Sequence, residues 1–208
     1  MSLRRITAAL VDYGAGNLAS VARALTNLGL RCKVSRDPAV LATADLLVLP
    51  GVGAFPAAMT ALHQHGLVDV IVDRARAGQP LLGICLGMQL LADSSSEHGH
   101  SAGLGLVPGQ VTALPQARWH IGWNALQVRD DEPLLRRSHG QALYFNHAYA
   151  YSRPGPHSVA TARLDDSQAA PITVAVRRGN VVGLQFHPEK SQAAGQQLLR
   201  DVVDGLLP

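Results

Sequence analysis

Leu81-Leu82-Gly83-Ile84-Cys85-Leu86-Gly87-Met88-Gln89 is the stretch whose reading decides the fold of this chain. Pro80 precedes four residues without a polar side chain, the pattern of a strand buried on both faces of a sheet. Leu86 to Asp93 then follows a helical pattern. A buried strand that turns straight into a helix belongs to a layered α/β protein, with Leu81 to Ile84 as a central strand. Glycines two positions either side of Cys85 remove side chains that would collide in so sharp a turn, and the turn pushes the central side chain out over the sheet edge.

Outward from this unit the same alternation continues. Upstream, strand patterns at Ile6 to Val11, Arg31 to Val34 and Leu46 to Leu49 flank a helical pattern at Asn17 to Leu28, and two more helical patterns fill Ala54 to Ala77. This βαβ opening implies parallel strands. From about Leu106 the pattern changes to short β-rich segments at Val107 to Leu114, Ala125 to Val128, Ala142 to Phe145, Thr173 to Arg177 and Val181 to Phe186. These point to a mixed or antiparallel second half, closed by an amphipathic helix over Gln192 to Leu207. With 208 residues and no internal repeat, low-complexity tract or long linker, residues 1–208 read as one α/β domain.

Composition narrows the function classes. At 47% hydrophobic and 16% charged residues the chain has the makings of a sizeable core and lacks the polar bias of disorder. Two cysteines, Cys32 and Cys85, offer neither a disulfide framework nor paired metal-ligand spacing, so no metal and no organic cofactor is expected. The net charge of +3 is scattered, which argues against nucleic acid. Asp12 ends the first apolar run before a signal peptide or membrane span is complete, and no later stretch reaches spanning length. A soluble, cytoplasmic protein without membrane contact is the expectation.

The chemistry starts at Cys85. Cysteines commonly act as small buried hydrophobes, and Cys32 is read that way. At Cys85 the flanking glycines and the strand-to-helix context favour a nucleophile, because unsatisfied N–H groups at a helix start attract a thiolate. A general base is then required, and Gln185-Phe186-His187-Pro188-Glu189-Lys190 supplies it at the end of an apolar strand. Pro188 biases His187 toward an extended conformation in which residues two apart project to one side, so Glu189 can orient the imidazole. Pro50-Gly51-Val52-Gly53 is either a plain βα turn or a loop that aims a backbone amide at developing negative charge. Gln89 lies one helical turn beyond Cys85 and faces the same pocket.

Gly83 to Gln89 together with Phe186-His187-Pro188-Glu189 resembles the class I glutamine amidotransferase family. Within it, Asp12-Tyr13-Gly14-Ala15-Gly16-Asn17, Pro50 to Phe55, Ile121-Gly122-Trp123-Asn124 and Gln185 to Ser191 are similar to the glutaminase subunits of imidazole glycerol phosphate synthases. The resemblance implies a flavodoxin-like three-layer sandwich whose central, mostly parallel sheet carries additional antiparallel strands. It implies a Cys85-His187-Glu189 triad, with backbone amides of Val52 and Leu86 as oxyanion donors. Gly53, Gln89, Glu97, His147, Ala148 and Tyr149 would bind L-glutamine, with Glu97 taking the α-ammonium. The partner would be the TIM-barrel cyclase subunit, in a heterodimer that passes ammonia to an activated ribonucleotide, with Asn17, Trp123 and Asn124 at the interface. Gly122-Trp123-Asn124 reads as a turn that presents Trp123 as an aromatic anchor, and Trp123 reads almost equally as a buried core residue. A reorienting Val52 peptide would gate the activity. Departures from the family pattern fall at Arg118-Trp119, Asn146 and Ala148. Three rivals share parts of these motifs: a glutaminase of another synthase, a catalytically silent docking module and a γ-glutamyl peptidase.

Overall fold

A computed structural model describes residues 6–114, 119–152, 155–164 and 170–207 of the protein. The first half runs β1 (Thr7–Val11), α1 (Leu18–Asn27), β2 (Arg31–Ser35), α2 (Pro38–Ala42), β3 (Leu46–Gly51), α3 (Phe55–Gln64), α4 (Leu67–Arg76) and β4 (Leu81–Cys85). β1 pairs in parallel with β2 and β3, and β3 in parallel with β4. Every position of β3 and β4 is buried, as expected of strands covered on both faces. Alternate strand residues serve opposite layers. Leu10, Val48, Leu82 and Ile84 pack with Val21 and Leu25 of α1, while Val11, Leu47, Leu49 and Leu81 pack with Phe55 and Leu62 of α3 and Ile71 of α4. Helix α2 has no counterpart in the sequence reading. It is one short turn set by Pro38 at its start and by Asp37, whose carboxylate accepts the Ala39 N–H at 2.9 Å.

The second half adds α5 (Leu86–Leu90), β5 (Ser94–Ser95), β6 (Ser101–Ala102), β7 (Gln110–Ala113), β8 (His120–Ala125), β9 (Gln127–Val128) and β10 (Ala142–His147). It closes with β11 (Tyr149–Ser152), β12 (Ser158–Ala162), β13 (Ile172–Arg178), β14 (Val181–Leu184) and α6 (Gln192–Leu206). Among the described residues, β14 joins β4 in parallel and extends the sheet to the order β2-β1-β3-β4-β14-β13-β11-β7-β5-β6. β12 pairs with β13, and β9 with β12. β8 and β10 form a separate antiparallel ribbon. No helix of the described residues is long and apolar enough to cross a membrane.

Several local expectations are corrected. The helix after Cys85 stops at Leu90 instead of Asp93, because the carbonyls of Leu90, Leu91 and Ala92 are taken by amides of residues 104–107. The strand expected from Val107 begins only at Gln110, after Pro108, which has no N–H, and Gly109 at φ 132°. Ala125 to Val128 is the junction of two strands in different sheets, broken at Leu126, whose N–H and C=O bond to Gln141 and Gly140. Ile121-Gly122-Trp123-Asn124 is not a turn. It is the body of β8, paired Trp123 to Tyr144 and His120 to His147. Strands β11 and β12 went unread.

Glycines set how closely the elements meet at the end of β4. A Cβ on Gly87 would overlap the Leu49 carbonyl of β3, and one on Gly83 would sit 2.7 Å from the Gly87 carbonyl oxygen. Both contacts are with backbone, which cannot rotate aside. Gly87→Ala should therefore destabilise the fold by about 3 kcal/mol or more, read as a drop in the urea midpoint.

Candidate active site

Cys85 ends β4 with φ 55° and ψ −113°, a backbone conformation that costs on the order of 1–3 kcal/mol for a residue with a side chain. The strain turns its sulfur toward the loops after β10 and β14, and α5 starts at once with Leu86. Sγ lies 3.9 Å from the Asn146 carbonyl oxygen and 3.9 Å from Nε2 of Gln185. His187 follows β14 by three residues. Its N–H donates to the Tyr144 carbonyl at 2.8 Å, and the Ser191 hydroxyl donates to the His187 carbonyl at 2.6 Å, so the backbone beside the imidazole is held at both ends. Nδ1 of His187 meets Oε1 of Glu189 at 2.9 Å, with both side chains buried. Pro188 to Lys190 form one 3-10 turn, so the turn, and not an extended segment, brings Glu189 back to the ring.

Burial alone would push the His187 imidazole down. Hydrogen bonds and negative charge from Cys85 and Glu189 prevail and push it up to about 9. Among the described residues Oε2 of Glu189 is buried without a hydrogen-bond partner, so the bond from His187 to Oε1 is what compensates this carboxylate there.

These groups open on a cleft of about 600 Å³. Val52, Gly53, Cys85, Leu86, Gln89, Glu97, His147, Ala148, Tyr149 and His187 are among the residues that line it. Glu189 stands behind His187. The departures Trp119 and Asn146 also face the cleft, whereas Arg118 lies outside the described residues. Glu97 does more than the sequence reading gave it: Oε2 accepts the Phe55 N–H at 2.7 Å, which fixes the far end of the Val52-Gly53-Ala54 loop to the wall of the cleft. The near end is held by Tyr13, whose hydroxyl donates to the Pro50 carbonyl at 3.0 Å. Gln89 is oriented completely, since Nε2 donates to the Tyr149 carbonyl at 2.9 Å and to Oε1 of Gln185 at 3.0 Å. Sequence reasoning gave Tyr13 and Gln185 no individual roles. The sequence signal available for Gln185 is a glutamine directly after the apolar run Val181 to Leu184; its complete burial is a finding of the structure.

The three residues expected at an interface lie away from the lining. Asn17 precedes α1. Trp123 is 50% exposed on β8, which removes its reading as a core residue, and its ring meets Tyr144 edge-on with centroids 6.0 Å apart. Asn124 donates its side-chain amide to the Arg163 carbonyl. Trp119, Ile121 and Trp123 alternate along this segment as exposed apolar side chains, and exposed Val52 shares the lining of the cleft with Trp119.

The model of the glutamine amidotransferase class-I family matches residues 9–205. The chain belongs to the class I glutamine amidotransferases. It is 45% identical over 194 residues to the imidazole glycerol phosphate synthase subunit HisH of Streptococcus sanguinis, covering 91% of this chain and 92% of that protein. It is 47% identical over 190 residues to HisH of Lacticaseibacillus casei, covering 89% of each. Among solved structures it is similar in fold to PurLQS from Thermotoga maritima, with a TM-score of 0.78 at 20% identity over 97% of this chain and 99% of that one. A crystal structure of a glutamine amidotransferase gives a TM-score of 0.75 at 23% identity, covering 95% and 98%. The amidotransferase sandwich is thus the fold, and β8 with β10 is the ribbon that stands off its main sheet.

The raised His187 value has a direct consequence for this amidotransferase. With His187 proposed as the acid that protonates the leaving amine, turnover should decline as pH passes upward through about 9, where its imidazolium is lost. The same shift adds stability that is complete below the ordinary value near 6.5 and disappears as pH rises through about 9, visible in Tm against pH. Glu189→Gln should lower kcat by roughly 10²- to 10⁴-fold and move the fall in turnover to lower pH.

Proposed function

We propose that this chain, acting as one amidotransferase domain, is the glutaminase subunit of an imidazole glycerol phosphate synthase. The observation that carries this reading is the convergence of a strained, helix-starting Cys85 with the His187–Glu189 pair in a cleft that also presents Gln89 and Glu97.

Glu97 takes the α-ammonium of glutamine, and the backbone of His147, Ala148 and Tyr149 borders the rest of the substrate. The Cys85 thiolate attacks the side-chain amide carbon, and the charge that moves to oxygen is met by the N–H groups of Val52 and Leu86. The C–N bond breaks as the His187 imidazolium gives its proton to the departing nitrogen, which releases ammonia and leaves a glutamyl thioester on Cys85. His187, now neutral, takes a proton from water as its oxygen attacks the thioester, and glutamate leaves as the thiolate is restored. Glu189 keeps the ring oriented and stabilises each imidazolium.

The partner in this reading is the TIM-barrel cyclase subunit, docked where Val52, Trp119, Ile121 and Trp123 leave apolar surface beside the cleft. Ammonia passes to it for the formation of imidazole glycerol phosphate and aminoimidazole carboxamide ribonucleotide in histidine biosynthesis. Reorientation of the Val52 peptide on docking completes the oxyanion site.

The test is glutamate release by wild type and Cys85→Ala, each with and without the cyclase subunit and its ribonucleotide substrate. Wild-type turnover should rise strongly with the liganded partner, and Cys85→Ala should lose at least about a thousandfold in every condition. Turnover indifferent to the partner would assign the triad to another synthase or to a free amidase. Absence of turnover in every combination would leave a docking module.

A further inference from the structure

Two buried histidines outside the triad form a connected chain into the glutamine cleft. Nδ1 of His147 lies 2.8 Å from the Tyr149 carbonyl oxygen, and Nε2 of His147 lies 3.0 Å from Nδ1 of His120. Nε2 of His120 lies 3.5 Å from the side-chain nitrogen of Asn124. A carbonyl oxygen only accepts, so Nδ1 of His147 carries the proton. Nε2 of a neutral His147 must then accept, which makes Nδ1 of His120 the donor and leaves Nε2 of His120 to accept from Asn124. Burial disfavours the charge on both rings, and at His147 it outweighs the hydrogen bond to the Tyr149 carbonyl and pushes the imidazole down to about 4. Every proton in the chain thus points one way, toward Tyr149.

The Tyr149 carbonyl is where this chain meets the substrate machinery. It has two lone pairs, one taken by His147 and the other by Nε2 of Gln89. The second hydrogen on that nitrogen goes to Gln185. Both Gln89 donors are therefore engaged, and Oε1 is the one polar atom its amide can offer to the cleft. A rotated amide would set oxygen against oxygen at both Tyr149 and Gln185.

We propose that His120 and His147 are positioning residues for glutamine, a neutral two-imidazole relay that fixes the Tyr149 carbonyl and through it turns Oε1 of Gln89 toward the donor groups of the substrate. This rests on the glutaminase reading of the cleft. His120 touches no reacting atom; its ring stacks on Phe145 with centroids 4.4 Å apart and planes 23° from parallel, so its place is set by packing and its effect is exerted through hydrogen bonds. Removing the His120 donor frees His147 to carry its proton on Nε2, and the Nδ1 lone pair then faces the Tyr149 oxygen.

Two measurements test the relay. In the wild type, imidazole ¹⁵N shifts at neutral pH should show His120 and His147 both neutral with the proton on Nδ1. A cationic ring, or a proton on Nε2 of either, overturns the proposal. In steady-state kinetics, His120→Phe keeps the stacked ring but has no nitrogen, and should raise the KM for glutamine about five- to tenfold, the loss of roughly one buried hydrogen bond, with kcat within about threefold. His120→Asn, whose amide can donate from near the Nδ1 position, should recover most of that loss. A KM within twofold of wild type in folded His120→Phe, or a KM that rises equally in both variants, overturns the proposal. The ¹⁵N signature is read without glutamine, so its failure strikes the relay alone, whereas wild-type protein without Cys85-dependent turnover strikes the functional reading.

Discussion

The site depends on one steric constraint, the approach of α5 to β3 at the point where β4 ends. Leu49 presents its carbonyl where a side chain on residue 87 would be, and the Gly87 carbonyl stands where a side chain on residue 83 would be. Only this closeness lets the chain reverse within one residue, and only that reversal leaves Cys85 at φ 55°. The strained backbone is held by the parallel pairing of β4 with β3 and β14 on its two sides. The strand that delivers Gln185 and His187 is therefore also one of the two that hold the nucleophile. Positioning of Cys85 and His187 and stability of the central sheet rest on the same set of contacts.

Much of this was legible because it is local. The apolar run before Cys85 and the glycines around it specify a buried strand and a tight turn within a few residues, and the first-half alternation marks β1 to β4 with boundaries off by two residues at most. His187 and Glu189 were found because they are two apart. What stayed hidden is non-local or rests on short elements. Gly122-Trp123-Asn124 has the composition of a turn, yet it lies within β8, where Gly122 takes φ 134° and Ile121 and Trp123 put apolar side chains on the exposed face. α2 is shorter than any helical period can signal. Gln185 reaches Cys85 across 100 positions, and His120 reaches His147 across 27, distances at which no spacing rule operates.

The contrast between His187 and His147 shows why residue type alone did not settle roles. Both rings are buried near the same cleft, and burial disfavours the charge on each. His187 faces a carboxylate and the Cys85 sulfur, and negative charge reverses the effect of burial. His147 faces a backbone carbonyl and another imidazole, and the support the carbonyl gives a positive charge is smaller than the cost of burying it. One environment makes a proton donor for chemistry and the other a rigid strut. The difference lies in partners contributed by distant strands.

At the far end of the same sheet, β2 is the outermost strand in the order, and among the described residues its one strand neighbour is β1. Its outer backbone groups form an unpaired row of the kind that templates strand addition and fibre growth. Arg31 and Lys33 stand exposed along that short strand while Cys32 packs inward against the core. A second copy laid edge to edge would set like charges against each other in a five-residue ladder. The rim of β2 thus protects the protein against aggregation through its own most accessible edge, and the largest strand array in the molecule can remain open-ended without becoming a seed.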